Sequence, residues 1–209
     1  MAYSVKEIYY TLQGEGHNTG RPAVLCRFTG CNLWSGRERD RATATCSFCD
    51  TDFVGRDGPG GGRFAGPAEL ASVIAARWPG GGRPFIVFTG GEPLLQLDDR
   101  LLDEVHALGF EAAVETNGTL AAPEGLDWIC VSPKAGAPLR QMTGDELKIV
   151  YPQDGLTPED FAGLEFAHFF LQPLDGPDLR RNTERAVRYC LEHPRWRLSL
   201  QTHKVVGIP

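Results

Sequence analysis

The chain has 209 residues and a net charge of −6, and 42% of its residues are hydrophobic. This length can bury the core of one domain, and the acidic balance argues against the broad basic surface that nucleic-acid binding requires. The residues that follow Met1 lack the apolar core of a secretory signal, and no apolar run approaches the ~20 residues that span a bilayer. We therefore expect one cytoplasmic domain that binds neither nucleic acid nor membrane.

Short apolar runs rich in β-branched residues predict buried strands. In chain order they are Val24–Phe28, Phe85–Thr89, Ala112–Thr116, Trp128–Ser132, Leu147–Tyr151, Phe169–Gln172 and Leu198–Gln201. Helical spacing of apolar residues lies between several of them, at Ala68–Trp78, Leu95–Leu108 and Thr183–His193. We expect Thr183 to cap the last helix, Gly55–Gly66 to form a loop with nothing to bury, and Ala135–Asp145 to be irregular. The alternation predicts βαβ units and a parallel sheet, open or curved into a barrel.

Polar or glycine-rich motifs directly follow several predicted strands. They are Thr89–Pro93, Glu115–Gly118, Ser132–Lys134 and Gln172–Asp175. The carboxyl ends of parallel strands share one face of a sheet or barrel, and ligands bind at that face. The adjacent glycines in Thr89–Pro93 would let the backbone approach a ligand closely, although two glycines also occur in plain turns. The sequence therefore predicts a ligand site where these motifs meet.

Three of the six cysteines, Cys31, Cys46 and Cys49, have the spacing C-x14-C-x2-C. A C-x2-C loop lets two thiolates reach one metal or cluster. Structural zinc and a four-iron cluster both take four ligands, so three thiolates leave one position for a small molecule, such as the amino acid end of S-adenosylmethionine. Cys26 could complete a zinc site, but it lies in a strand whose alternate side chains face opposite sides. The other cysteines are interpreted as small buried residues: Cys26, Cys130 and Cys190.

Cysteines followed by the GGEP motif resemble the radical S-adenosylmethionine superfamily, whose fold is a full or partial (β/α) barrel. Its commonest triad is C-x3-C-x2-C, and the long insertion here departs from that pattern. The insertion, with Gln13–Gly16 upstream and Cys49–Thr51 at its end, resembles the 7-carboxy-7-deazaguanine synthase family over almost the whole chain. The resemblance implies an α/β fold of the partial (β/α)6 TIM-barrel type with reduced helices. It also implies a single radical S-adenosylmethionine domain over residues 1–209, with a cluster-binding insertion at about 31–66.

The activity that this resemblance implies is that of a carbon–nitrogen lyase in queuosine and deazapurine biosynthesis. Such an enzyme converts 6-carboxy-5,6,7,8-tetrahydropterin to 7-carboxy-7-deazaguanine, with contraction of a ring and loss of ammonia. The implied cofactors are one [4Fe–4S] cluster, S-adenosylmethionine and Mg²⁺, and the cofactors carry the difficult chemistry while the protein positions them. A reductase or flavodoxin-type electron donor and a homodimer are implied as well.

The resemblance also assigns roles to individual residues. Thr51 would be the protein ligand of Mg²⁺, and the cluster ligands would be Cys31, Cys46 and Cys49. S-adenosylmethionine would contact Phe48, Cys49, Asp50, Gly91, Glu115, Ser132, Pro133, Lys134, Gln172, Pro173, Leu174 and Asp175. The pterin would contact Leu12, Gln13, Gly14, Glu15, Arg27, Thr89 and the terminal carboxylate of Pro209. A planar guanidinium suits the substrate carboxylate, although Arg27 could instead form an ion pair at a strand end.

Two alternatives remain open at this point. A glycyl-radical activating enzyme belongs to the same superfamily, but the long cysteine insertion and Gln13–Gly16 disfavour it. A non-enzymatic iron–sulfur or zinc module would not need polar motifs at successive strand ends. The basic segments Arg37–Arg41 and Arg180–Arg188 are interpreted as solvated faces rather than anion sites.

Overall fold

The computed structural model describes residues 2–209, and within this range the chain forms a nine-stranded sheet. Its strands are β1 (Tyr3–Leu12), β2 (Pro22–Phe28), β3 (Gly62–Phe64), β4 (Phe85–Gly90), β5 (Glu111–Thr116), β6 (Trp128–Val131), β7 (Thr143–Tyr151), β8 (Glu165–Pro173) and β9 (Trp196–Leu198). The strand order is β3-β1-β2-β4-β5-β6-β7-β8-β9. β1 pairs antiparallel with β2 and β3, whereas β2 and the strands from β4 to β9 pair in parallel with their neighbours. The sheet therefore presents the carboxyl ends of its parallel strands at one edge.

The helices are α1 (Pro67–Ala75), α2 (Asp99–Ala107), α3 (Leu179–Glu192) and α4 (Thr202–Val206). Short 3-10 turns cover Glu38–Thr43, Pro93–Leu95 and Pro158–Phe161. In the described part of the chain no α-helix connects β5 to β6, β6 to β7 or β7 to β8. An open, mostly parallel α/β sheet with few helices confirms the predicted fold class. Of the helices between residues 2 and 209, none has the length and apolar character needed to cross a membrane.

Alternate side chains of each strand face opposite sides of the sheet, and this alternation separates the core from the site. On the outer side, Ile86 and Phe88 of β4 pack with Leu101 and Val105 of α2 in a buried apolar cluster. A second outer cluster joins β7 and β8 to α3. On the inner side, Thr89 of β4 lines a cavity. The two larger apolar clusters thus lie on the outer face, whereas the inner face carries the polar groups of the cavity beside a smaller apolar cluster that includes Phe85 and Val87.

The start of α2 shows how local chemistry fixes an element. Asp98 precedes the helix in an extended conformation, and its carboxylate accepts a hydrogen bond from the Leu101 amide (3.1 Å). This is the preferred chemistry of an N-cap. The same carboxylate accepts a hydrogen bond from the Tyr3 hydroxyl (2.6 Å), which ties the helix to β1.

Three expectations about the elements are wrong. The apolar-run criterion misses β1, because Lys6, Glu7 and Tyr9 interrupt its apolar pattern and line the cavity. The segment Gly55–Gly66 does bury something, since β3 lies inside it and Phe64 belongs to the core. Thr183 does not cap α3: it lies within the helix, and its hydroxyl donates to the Leu179 carbonyl (2.8 Å).

The boundaries of other elements also differ from the expectations. The final strand ends at Leu198, so most of the predicted Leu198–Gln201 strand lies beyond it. The irregular segment is shorter than expected, because β7 already begins at Thr143. In both places strand pairing with β8, rather than local apolar content, sets the boundary.

Phe64 gives a direct test of the core assignment. Replacing it with Ala should lower the free energy of unfolding by about 3–5 kcal/mol, because a buried ring leaves a cavity. Its exposed neighbour Arg63 is the matched control, and Arg63→Ala should change stability by no more than about 0.5 kcal/mol. Urea unfolding measures both values. Equal effects of the two substitutions would contradict the packing of β3 in the core.

Candidate active site

The inner side of the sheet and the carboxyl ends of its strands enclose a cavity of about 420 Å³. This volume lies within the range of roughly 300–1,000 Å³ that is usual for small-molecule sites. Residues from β1, β2 and every strand from β4 to β8 line it, so the sheet curves around it. Every site residue predicted from the sequence lines this cavity except Pro133, which is buried behind the wall, where its carbonyl accepts a hydrogen bond from Gln153 (3.3 Å).

The three cysteines of the C-x14-C-x2-C motif meet at one wall of the cavity. The Cys46 amide donates to the Leu33 carbonyl (3.3 Å), which returns the long insertion to the neighbourhood of Cys31. Burial raises the pKa of the Cys31 and Cys46 thiols. Cys26 is fully buried in the outer apolar core and does not line the cavity. The structure therefore removes Cys26 from the set of candidate ligands.

The donor chemistry of this wall fits an iron–sulfur cluster. Among residues 2–209, no group of three or more His, Cys, Asp or Glu side chains converges closely enough to hold a single metal ion. A [4Fe–4S] cluster does not require such convergence, because each thiolate binds a different iron. Gly91 at the end of β4 adds a cradle, since a Cβ there would overlap the Gly30 carbonyl and contact the Cβ of Cys31.

Lys134 places a half-buried cationic group at the same wall. Its ammonium donates to the carbonyl (2.6 Å) and the hydroxyl (2.7 Å) of Ser132, so the Ser132–Lys134 motif folds onto itself. Burial lowers the pKa of Lys134, and the neighbouring thiol of Cys46 opposes that shift. A half-buried ammonium group at this wall suits an anionic group in the cavity.

Glu92 joins two of the strand-end motifs. Its side chain is fully buried, and burial raises its pKa. One carboxylate oxygen accepts hydrogen bonds from the Thr116 hydroxyl (2.7 Å) and the Leu94 amide (3.0 Å), and the other accepts from the Asn117 amide (2.8 Å). The Asn117 side chain in turn donates to Asn32, next to Cys31 (3.0 Å). Glu92 thus fixes the ends of β4 and β5 beside the cysteine wall.

Lys148 lies at the centre of a buried ionic network that the sequence analysis did not identify. Its ammonium forms ion pairs with Glu15 and with Glu115 (3.5 Å), and Gln13 donates to Glu115 (2.9 Å). Burial alone would lower the pKa of Lys148, but the carboxylates of Glu115 and Glu15 outweigh it and raise the pKa well above its usual value. A signal was present, because Lys148 lies between Leu147 and Ile149 in a strand predicted to be buried.

Arg27 combines both of the roles considered for it. Its Nε forms an ion pair with Glu7 (2.8 Å), and its Nη2 donates to the Tyr9 hydroxyl (3.0 Å). The same guanidinium lines the cavity. The predicted site residues do not include Glu7 and Tyr9, because the predicted strands do not include β1, which carries both.

The C-terminal segment closes one side of the cavity. Lys204 of α4 forms ion pairs with Asp50 of the cysteine insertion (2.6 Å) and Asp175 after β8 (2.5 Å). The Pro209 carbonyl oxygen accepts a hydrogen bond from the Thr11 hydroxyl (2.9 Å), so the end of the chain lies against β1. No local pattern marks Lys204, because its partners are 154 and 29 residues away.

Comparisons with known proteins agree with this arrangement. The sequence profile of the radical SAM superfamily matches residues 40–147, which include Cys46, Cys49 and the GGEP motif but begin after Cys31. The chain is 65% identical to a 7-carboxy-7-deazaguanine synthase of Bordetella pertussis and 62% identical to one of Caulobacter vibrioides, over 100% of each chain. The crystal structure of QueE from Escherichia coli is similar, with a TM-score of 0.72 and 26% identity, over 96% of this chain and 94% of that one.

Lys148 provides a test of the buried network. Lys148→Met should lower the free energy of unfolding at pH 7 by about 3–5 kcal/mol, because it leaves buried carboxylates without their partner. The double variant Glu15→Gln, Lys148→Met should recover part of that loss. Lys204→Met is the matched control, since this more exposed lysine also contacts two carboxylates and should contribute no more than about 1 kcal/mol. Urea unfolding that ranks the two lysines equally would contradict the network.

The pH dependence should also change sign in this variant. In the wild type, burial would raise the pKa of Glu15, but Lys148 outweighs it and the pKa is lowered. Glu15 therefore contributes stability above its ordinary pKa of about 4.3, and this is lost as the pH falls through the lower folded value. In Lys148→Met, burial raises the pKa, so this contribution should decline as the pH rises above about 4.3. The measurement is the free energy of unfolding from acid to neutral pH. The contribution of Glu15 is the difference between wild type and Glu15→Gln, and in the variant it is the difference between Lys148→Met and the double variant. These two differences should change with pH in opposite directions.

Proposed function

Because this chain belongs to the radical SAM superfamily and, within it, to the 7-carboxy-7-deazaguanine synthase family, we propose that it converts 6-carboxy-5,6,7,8-tetrahydropterin to 7-carboxy-7-deazaguanine with loss of ammonia. The observation that carries this proposal is one cavity lined by the three cysteines, the strand-end motifs and Gln13–Glu15. The full-length relatives favour this activity over that of a glycyl-radical activating enzyme.

The superfamily implies a [4Fe–4S] cluster and S-adenosylmethionine as cofactors, and the cysteine wall fits the cluster. We assign Cys31, Cys46 and Cys49 as its ligands and residues 31–66 as the cluster-binding insertion of a single domain. When bound, the cluster supplies the electron that cleaves the sulfonium of S-adenosylmethionine and so generates the radical chemistry. The chain's own task is to orient the two small molecules and to exclude water from them.

The binding residues for S-adenosylmethionine would come from the cysteine loop and the strand ends. The backbone at Gly91 can approach the methionine part closely, because this position has no side chain. Glu115 would accept hydrogen bonds from the ribose or amino group, and Phe48 would lie near the adenine. The remaining contacts would come from Asp50, Ser132, Pro133, Lys134 and Gln172–Asp175. Their lining of one cavity, Pro133 excepted, supports this assignment.

The pterin would lie on the side formed by Leu12–Glu15, with Thr89 donating a hydrogen bond to it. Arg27 would bind the substrate carboxylate, and its ion pair with Glu7 would orient the guanidinium for that task. Thr51 would bind Mg²⁺, which keeps several waters and so needs few protein ligands. Lys148 would keep Glu15 ionised and would hold the Glu115 carboxylate in place, ready to accept hydrogen bonds from substrate and cofactor.

The proposal includes partners and a location. The reaction needs an external reductant, which we take to be a reductase or flavodoxin-type protein, and the family resemblance implies a homodimer. All six cysteines, which lie in the described range, are unpaired. That state suits the reducing cytoplasm.

The decisive experiment is anaerobic turnover of the reconstituted protein. With S-adenosylmethionine, a reductant, Mg²⁺ and 6-carboxytetrahydropterin, we expect 7-carboxy-7-deazaguanine and ammonia. Cys49→Ala should abolish product formation, because it removes a cluster ligand. Cys190→Ala in α3 should retain it, because Cys190 lies outside the cavity. Mass spectrometry of the product measures both.

Several outcomes of this assay would contradict the proposal. A wild-type protein that binds zinc instead of iron and sulfide would contradict the cluster, and no product from the iron-loaded protein would contradict the substrate. Turnover that is unaffected by removal of Mg²⁺ would remove Thr51 from the set of metal ligands.

The position of Pro209 gives a separate test. A Gly-Ser peptide fused after Pro209 should lower kcat/KM for the pterin by about tenfold or more, because it displaces a terminal carboxylate that would hydrogen-bond the substrate. The same peptide inserted after Gly81, in an exposed loop, is the control and should leave turnover unchanged. Unchanged kinetics of the C-terminal fusion would show that the carboxylate does not contact the pterin.

A further inference from the structure

Arg41 connects the middle of the long cysteine insertion to the C-x2-C loop. It lies in the 3-10 turn Glu38–Thr43, between Cys31 and Cys46. Its Nη1 donates to the carbonyl oxygens of Ser47 (2.7 Å) and Cys49 (3.0 Å). One side chain thus holds two backbone positions of the segment that carries two of the proposed cluster ligands.

The Arg41 side chain is itself fixed by two other contacts. Its Nε donates to both carboxylate oxygens of Glu38 (2.9 and 2.8 Å). Its guanidinium lies over the ring of Trp34, 4.1 Å from the centroid, and Trp34 packs edge-on against the buried ring of Phe53 (5.6 Å). Since a stacked and paired guanidinium loses little freedom on forming further hydrogen bonds, Arg41 is preorganised toward the cysteine loop.

We propose that Arg41 is a positioning residue for the iron–sulfur cluster, an inference that rests on the proposed function. It has two separable effects. Its planar guanidinium fixes the Cys46–Cys49 loop through hydrogen bonds. The single ammonium of a lysine cannot make these hydrogen bonds and at the same time stack on Trp34 and pair with Glu38. Its positive charge, held against the carbonyl oxygens of Ser47 and Cys49, favours the more negative, reduced cluster. The solvated-face interpretation of Arg37–Arg41 is therefore wrong for Arg41.

Arg39 offers a matched control in the same turn. Its side chain is 71% exposed, and its recorded ion pair is with its neighbour Asp40 at 3.5 Å. Arg39→Met removes the same charge and a similar volume from the same turn without removing a hydrogen bond to the cysteine loop. Any effect of Arg41→Met beyond that of Arg39→Met therefore reports the contacts of Arg41.

The test measures the cluster directly, in reconstituted wild type, Arg41→Met, Arg41→Lys and Arg39→Met. We expect Arg41→Met to lose its visible absorbance under an iron chelator roughly ten- to a hundredfold faster than wild type, as loss of charge-assisted hydrogen bonds implies. Its reduction midpoint potential should fall, because a nearby cation is gone. Arg41→Lys should also lose the cluster faster but keep a potential near that of wild type. Arg39→Met should lose its cluster at the same rate as wild type.

Urea unfolding of the cluster-free proteins serves as the control that each variant folds. If cluster-free Arg41→Met is unfolded, the variant Glu38→Gln replaces it in the test. This variant weakens the ion pair that orients Arg41 but keeps Arg41 itself. The Glu38→Gln protein should lose its cluster faster than Arg39→Met. Equal rates and potentials for Arg41→Met and Arg39→Met, or equal rates for Glu38→Gln and Arg39→Met, would overturn the inference alone. A wild type that takes up no four-iron cluster would overturn the proposed function and this inference together.

Discussion

One buried ammonium group, that of Lys148, holds three distant parts of the chain around the cavity. It extends from β7 to Glu15, which follows β1, and to Glu115, at the end of β5. A buried charge is tolerated only with its partners in place, so this pairing constrains the path of the segment after β1. Glycine at position 16 suits that path for two reasons. Its φ of +67° lies in the left-handed region that favours glycine, and a Cβ there would overlap the Glu146 carboxylate.

The parallel sheet places the Lys148 network on the same side as the cavity. Its outer face carries the two larger apolar clusters, and its inner face carries a smaller apolar cluster beside the polar groups, so stability and chemistry use different side chains of the same strands. Glu92 binds the ends of β4 and β5 to each other, and Lys204 binds the cysteine insertion to the end of β8. Buried hydrogen bonds at Glu92 and more exposed ion pairs at Lys204 therefore join segments at the rim that the apolar clusters do not connect.

The cysteine insertion faces a problem that a short C-x3-C-x2-C triad does not have. Covalent geometry keeps closely spaced cysteines together, whereas 14 intervening residues must be folded back by non-covalent contacts. The Cys46 amide reaches Leu33, and the Arg41 guanidinium reaches Ser47 and Cys49 while resting on Trp34. The superfamily profile begins at residue 40, after Cys31, and the contact between Cys46 and Leu33 brings the later part of the insertion back near Cys31.

The sequence by itself determined the α/β class, the strands β2 and β4 to β8, the cysteine spacing and the motifs at the strand ends, because apolar runs and short motifs are local patterns. It did not reveal β1, whose polar residues face the cavity, or Phe64, whose glycine-rich surroundings hide its burial. Only the tertiary structure decided the partners of Lys148, Arg41 and Lys204. Ion pairs and hydrogen bonds depend on distance in space, and only the topology of the sheet brings such residues within reach of one another.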